Sequence, residues 1–256
     1  MGVLRTLSLN CQKGYNPTLG DFLKTTAQSA TYDLVLLQEA TENVIRSAHD
    51  AGPYRLVEAF NEEAGGASHL AILYRDGLVL KEHALCSVAK LNPAWYRHHP
   101  GFGALAGVFE IGGETVIAAS VHLHSGFRWI ARGREIVLVK AHLERIMNRE
   151  RPDLTLFGGD CNFGPTERAK AERLLAPGFT CVTRSLGPTL DSRYTESGPL
   201  VMSVTAQALA KVGMGFTFAT DHFFVDSANA ITRDIRTTIL PDRVSDHLPI
   251  ALEISA

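Results

Sequence analysis

The chain has little cysteine, no excess of either charge and no apolar run long enough to cross a bilayer. Its four cysteines, Cys11, Cys86, Cys161 and Cys181, stand far apart without a C-x-x-C pair, which excludes a zinc ribbon and a disulfide framework. They read as buried free thiols of a reducing compartment, so the expected location is the cytoplasm. No segment approaches the ~20 consecutive apolar residues of a membrane span. The opening Met-Gly-Val-Leu-Arg-Thr-Leu-Ser-Leu-Asn alternates like a strand and lacks the apolar centre of a signal peptide. A net charge of −2 gives no general positive field to grip nucleic acid. A nucleic-acid ligand would then need a local basic groove, for which the basic side chains between Arg128 and Arg151 are the candidates. Repeats, low-complexity segments and linker-like stretches are also missing, and one domain over residues 1–256 is expected.

What is present is a chain that is 45% hydrophobic, enough for a sizeable core, and patterned as strands with a few crossing helices. Val3, Leu4, Leu7 and Leu9 predict a first strand ending at Asn10, and Leu19, Phe22, Leu23 and Ala27 share one face of a helix. Asp33 to Gln38 is a continuous apolar run suited to a central strand covered on both faces. Strands are predicted at 54–59, 70–75, 78–88, 104–111 and 115–122, the last two joined by the hairpin signal Gly112-Gly113. Ile136, Val139, Leu143 and Ile146 recur at helical spacing over 129–147. Leu154, Leu156 and Phe157 form a strand that runs into Gly158-Gly159-Asp160, and Pro165 starts a helix. A short helix is predicted over 203–212, and strands at 216–218, 222–225 and 250–254 complete the pattern. The expected fold is a four-layer α/β sandwich: two mixed β-sheets packed face to face with helices on the outside.

Polar residues gather at the strand ends: Asn10, Glu39, His122, Asp160 with Asn162, Asp221, and the Asp246-His247 pair. Singly each has an ordinary role. Asn10 suits a turn, Glu39 the first turn of the following helix, and Asp160 with Asn162 an Asx-turn. Together they match the needs of phosphate-ester hydrolysis, in which a cation offsets charge on the phosphate oxygens and a base prepares water. Glu39 and Asp246 suit a hard divalent ion, Mg²⁺ or alternatively Mn²⁺, and Asn10 can serve the ion or the phosphate without adding charge. Asp160 is the expected base and Asn162 the residue that fixes the nucleophile. Asp221 would hold His247 in one tautomer and raise its pKa, placing a cation beside the phosphate. His122 would face the phosphate from another side.

This set resembles the endonuclease/exonuclease/phosphatase superfamily over nearly the whole chain. The resemblance rests on Leu-Ser-Leu-Asn10, Leu-Leu-Gln-Glu39, Ser-Val-His122-Leu, Gly-Asp160-Cys-Asn162, Thr-Asp221-His222-Phe-Phe-Val and Ser-Asp246-His247-Leu-Pro-Ile, all in order. It implies the four-layer sandwich and metal-dependent hydrolysis of phosphoesters, with the residue roles given above. Three departures stand out. Ser68 takes the place of a Glu that partners the histidine in the deoxyribonuclease branch. In Arg132-Gly-Arg134-Glu135 a Glu replaces the Gln of the family's Arg-x-x-Gln, with Arg132 or Arg134 expected to reach the phosphate. Cys11-Gln12-Lys13 lacks the acid that follows the Asn in abasic-site endonucleases.

Trp95-Tyr96-Arg97-His98-His99 is a loop in which Trp95 and Arg97 could stack a base or cradle a headgroup; packing of the Trp onto the domain is the ordinary alternative. The leading expectation is a phosphodiesterase with nucleic acid narrowly favoured as substrate. A phosphatase or sphingomyelinase-like enzyme acting on a small phosphorylated molecule or lipid headgroup is the second, and a non-catalytic phosphate binder is the third.

Overall fold

Residues 2–14, 16–60, 69–87, 103–124, 129–163, 166–191 and 217–255 are described by the computed structural model. In chain order the strands are β1 (Leu4–Asn10), β2 (Leu34–Ala40), β3 (Tyr54–Phe60), β4 (His69–Arg75), β5 (Val79–Ser87), β6 (Gly103–Ile111), β7 (Glu114–His122), β8 (Leu154–Asp160), β9 (Phe179–Cys181), β10 (Leu190–Asp191), β11 (Thr217–Phe218), β12 (Asp221–Asp226), β13 (Asp234–Ile239) and β14 (Ile250–Ser255). The helices are α1 (Leu19–Ser29), α2 (Glu42–His49), α3 (Trp129–Glu150), α4 (Arg168–Leu175) and α5 (Ser227–Thr232). One six-stranded sheet has the order β13-β14-β1-β2-β4-β3 and the other β5-β6-β7-β8-β12-β9, with β10 and β11 as a separate pair.

Each sheet mixes directions for the same reason. A parallel neighbour needs a long crossover, and α1 supplies it between β1 and β2, as α3 does between β7 and β8. Tight turns supply the antiparallel pairs. At the β6–β7 hairpin both Gly112 and Gly113 have positive φ, the backbone that a two-residue turn matched to strand twist demands.

The period of two along the strands decides the layering. Leu4, Leu34, Leu36 and Ile72 of the first sheet meet Val116, Ala118, Leu154, Leu156 and Phe223 of the second in one buried cluster between the sheets. Their chain neighbours point the other way. Leu7, Leu9, Val35 and Leu37 pack under Leu19 and Leu23 of α1 and Ile45 of α2. Ile117, Ala119, Val121 and Phe157 pack under Ile136, Val139 and Leu143 of α3. The result is helix, sheet, sheet, helix. Burying one such Leu, Ile, Val or Phe contributes roughly 1.5–3 kcal/mol, so a one-residue slip of β7 would forfeit several of these contacts and turn His122 away from the other sheet.

Strand β8 carries Asp160 outward on two glycines with a steric purpose. A Cβ on Gly158 would lie 2.3 Å from the Phe223 ring, and one on Gly159, at φ +149°, 1.9 Å from the carbonyl of Val121. Strand β13 was not anticipated from the sequence, because this edge strand buries none of its residues. The helix expected from Pro165 begins at Arg168, and the one expected over 203–212 lies outside the described residues. Among the described residues no helix is long and apolar enough to cross a membrane.

Candidate active site

Along the inner faces of the central strands, side chains change from apolar to polar toward one end of the sandwich. There β7, β8 and β12 run side by side with His122 opposite Asp160 and Asp160 opposite Asp221. Asn10 ends β1 on the facing sheet, and its Nδ2 donates to Asp160 Oδ2 at 3.0 Å, joining the two sheets. All four are buried, at 2–3% exposure.

Glu39 reaches the same place against its parity. By alternation it would follow Val35 and Leu37 toward the helices. A bulge between Leu37 and Ala40 and a left-handed φ of +48° at Glu39 turn it instead toward the cleft, where Oε1 lies 3.6 Å from His122 Nε2. Such a backbone typically costs ~1–3 kcal/mol and persists only where the surroundings enforce it. The helix that follows is capped by Thr41, so Glu39 is not its N-terminal acid.

Asp160 is heavily coordinated. Its Oδ2 accepts from Asn10 and from Asn162 Nδ2 at 2.9 Å, and its Oδ1 accepts from the Asn162 backbone N–H at 2.9 Å. Asn162, at φ +52°, also donates to the Leu123 carbonyl, which fixes its amide. Burial pushes the Asp160 carboxyl well above the ordinary carboxylate range. Asp221 and Glu39 add to this, while His247 and the Asn162 hydrogen bond oppose it.

Asp221 and His247 form a pair with a 2.8 Å contact between Oδ2 and Nδ1. Burial works against the charge on both. In His247 the carboxylates of Asp221, Asp160 and Asp246 outweigh it and hold the imidazole protonated well above its usual range. In Asp221 the imidazolium and hydrogen bonds from His247, Thr189 and Thr220 outweigh it, and the carboxyl stays low. His247 Nε2 lies 3.8 Å from Asp160 Oδ2 and 3.9 Å from Asp246 Oδ1. Sequence reading missed Thr189. Its hydroxyl accepts from the backbone N–H groups of Thr220 and Asp221, while its carbonyl accepts from Leu248, so it ties together the two loops that deliver Asp221 and His247. Nothing in the sequence marks it, since a threonine in an irregular stretch has no periodicity to betray a long-range partner.

The donor set fits a divalent cation. Asp160, Asp221 and His247 offer ligand atoms within 4.8 Å of one another. The Asp221–His247 hydrogen bond occupies Nδ1, so the imidazole atom open to an ion is Nε2, 3.8 Å from Asp160 Oδ2. Four carboxylates gathered with two imidazoles leave excess negative charge even with both imidazoles protonated, which a cation would offset.

The model of the Endonuclease/Exonuclease/phosphatase family matches residues 7–247. The chain belongs to that family. No curated protein sequence matches it. Among solved structures it is similar to truncated TDP2 from Caenorhabditis elegans, with 16% identity, a TM-score of 0.73, and coverage of 99% of this chain and 98% of that one. It is also similar to D. rerio TDP2 complexed with a single strand DNA product, at 17% identity, TM-score 0.68 and full coverage of both chains. A mannosyl-6-phosphatase from Bacteroides thetaiotaomicron matches at 16% identity and TM-score 0.69, covering 99% of this chain and 100% of that one. At these identities the likeness is one of fold. Membership makes this endonuclease/exonuclease/phosphatase protein a hydrolase of the phosphoesterase type.

Arg132 is held by protein groups. Its guanidinium, 2% exposed, donates to both carboxylate oxygens of Glu167 and to the His124 carbonyl at 3.0 Å. Glu135, in the family's Gln position, accepts from the backbone N–H of the same His124, so the two α3 residues hold the main chain of His124 on both sides. Arg134 is exposed on α3, and Trp95 and Arg97 lie outside the described residues. Of the cations expected to line a groove along α3, Arg149 pairs with Glu82 and Glu150 and Lys140 with Glu144, while Arg134 and Arg145 are exposed.

His222, next to Asp221, points to the opposite face. It stacks on Phe163, and its Nε2 contacts the Ala219 carbonyl at 3.0 Å and its Nδ1 the Thr183 hydroxyl at 3.2 Å, as suits a neutral ring. Burial lowers its pKa from 6.5 to about 4. Between those values the unfolded chain binds a proton that the folded chain refuses, so stability falls as pH falls through this window, by about 3 kcal/mol at pH 4. Urea titrations across this range should show that slope in wild type and a shallower one in His222→Gln; equal slopes would contradict the assignment.

Proposed function

We propose that this protein is a Mg²⁺- or Mn²⁺-dependent phosphodiesterase, formed by one domain over residues 1–256, that acts most readily on nucleic acid in the cytoplasm. One observation carries the reading: Glu39, His122, Asp160, His247 and Asp246 follow one another by contacts of 3.6–3.9 Å, with Asp221 bonded behind His247. Glu39 and Asp246, with Asn10, would hold the ion, which when bound offsets charge on the phosphate oxygens. Asp160 takes a proton from the attacking water, a task favoured by a carboxyl whose pKa burial has raised. The amides of Asn10 and Asn162 keep Asp160 in one orientation. His247, held protonated by Asp221, presents Nε2 to the anionic substrate, and His122 does so from the β7 side.

The D. rerio TDP2 that carries a single strand DNA product supports nucleic acid. The mannosyl-6-phosphatase of equal likeness supports the second reading, a phosphatase or headgroup hydrolase. Four free thiols, three of them buried, support a reducing compartment. A panel of plasmid, single-stranded oligonucleotide, inositol phosphate, mannose 6-phosphate and sphingomyelin, assayed with Mg²⁺, Mn²⁺ and chelator, separates these readings. Metal-dependent cleavage of an oligonucleotide, at a kcat/KM about tenfold or more above the other substrates, is the expected result. A phosphomonoester preference would establish the second reading, and turnover unchanged by chelator would end the metal assignment.

A further inference from the structure

Glu39 and Asn10 arrive on one sheet, and His122, Asp160 and Asp221 on the other. Apolar contact between two sheets is non-directional and by itself sets no register at the ångström level. Directional bonds are needed to hold a carboxylate of one sheet at a fixed distance from an imidazole of the other.

One step inward from the cleft, the facing strands carry three buried polar side chains, Ser8, Gln38 and Ser120, each at 0–1% exposure. Gln38 Nε2 donates across the interface to Ser120 Oγ at 2.9 Å, and it also contacts the Leu36 carbonyl at 3.1 Å and Ser8 Oγ at 3.4 Å. Ser120 Oγ donates back to the Leu37 carbonyl at 2.9 Å. Ser120 therefore bonds both residues that immediately precede Glu39, at the start of the bulge that turns Glu39 into the cleft. Two residues further along β7 is His122, the group that Glu39 faces.

We propose that Gln38 and Ser120 are positioning residues: a clip between the sheets that fixes the Glu39 bulge against β7 and so sets the placement of the Glu39 carboxylate relative to His122 and Asp160. The inference rests on the metal-dependent reading above. The ordinary alternative is a buried polar group that contributes to stability and nothing else. Ser8 separates the two, because it is as buried as Ser120 and touches the same amide at the longer distance of 3.4 Å, whereas the Ser120 hydroxyl also bonds the Leu37 carbonyl where the bulge starts.

The test measures Mn²⁺ binding to the full chain by calorimetry, together with kcat, KM and thermal unfolding, in wild type, Ser120→Ala, Gln38→Met and Ser8→Ala. The Mn²⁺ dissociation constant should rise about tenfold or more in both Ser120→Ala and Gln38→Met, with kcat falling by a similar factor and KM little changed. Ser8→Ala should lose melting temperature while keeping Mn²⁺ affinity within about twofold of wild type. Unchanged Mn²⁺ affinity in folded Ser120→Ala and Gln38→Met would overturn the clip, as would equal losses in Ser8→Ala and Ser120→Ala. If Ser120→Ala does not fold, the isosteric Gln38→Met decides by the same criteria. Absence of Mn²⁺ uptake by wild type is a separate outcome that overturns the metal reading and the clip with it.

Discussion

Asp160→Asn is expected to lower kcat on the order of a thousandfold with the fold retained, as removal of a general base does. The substitution keeps volume and shape and removes the basic carboxylate with its charge. Its structural cost is bounded. Three donors converge on the carboxylate, from Asn10, the Asn162 side chain and the Asn162 backbone. An amide has one acceptor oxygen, so at least one donor loses its partner, at about 1–3 kcal/mol. Working against that cost, a negative charge leaves a buried site where Asp221 and Glu39 repel it. A stability of ~5–15 kcal/mol absorbs the difference. Hydrolysis of an aryl phosphodiester, with melting followed by circular dichroism, provides the check. Wild-type turnover in the folded variant would remove Asp160 from the chemistry. In wild type the raised carboxyl also predicts the acid side of the rate profile: as pH falls through its pKa the base fills with a proton and the rate declines.

Asp221→Asn should cost roughly a hundredfold or more in kcat, and it should also change the shape of the pH profile. The amide can still accept from His247 Nδ1, so the ring keeps its orientation and loses mainly the anion that keeps it charged. Asp221 leads the three carboxylates that raise the His247 pKa against the effect of burial. Without it the proton leaves at lower pH, and the alkaline decline in rate should move down by about one unit or more, each unit being ~1.4 kcal/mol of lost support. A rate profile from pH 5 to 10, paired with NMR titration of the His247 ring, measures both. An unmoved alkaline limb would mean that the His247 charge is not what the rate depends on.

The two substitutions act on residues whose types were legible in the chain while their relations were not. Asp160 closes one apolar run and Asp221 follows another, and that pattern flagged them without revealing that β8 and β12 set them opposite one another. Arg132 illustrates the reverse. A cation on the helix after the His122 strand was a reasonable phosphate ligand, but Glu167, thirty-five residues away, captures it. Glu39 was expected in the cleft on its residue type and motif, and alternation alone would have sent it to the helix side; only the bulge reverses it.

The sequence by itself determined the central strands and the helices α1 and α3, the hairpin at Gly112-Gly113, and the kinds of group that end the strands. Those features follow from periodicity and backbone preference, which act over a few residues. Tertiary structure alone decided that Asn10 bonds Asp160 across 150 positions of chain, that Thr189 braces the loops of Asp221 and His247, and that Ser120 holds the residues before Glu39. Hydrogen-bond partners so far apart in sequence are chosen by how two sheets pack, and no local pattern encodes that distance.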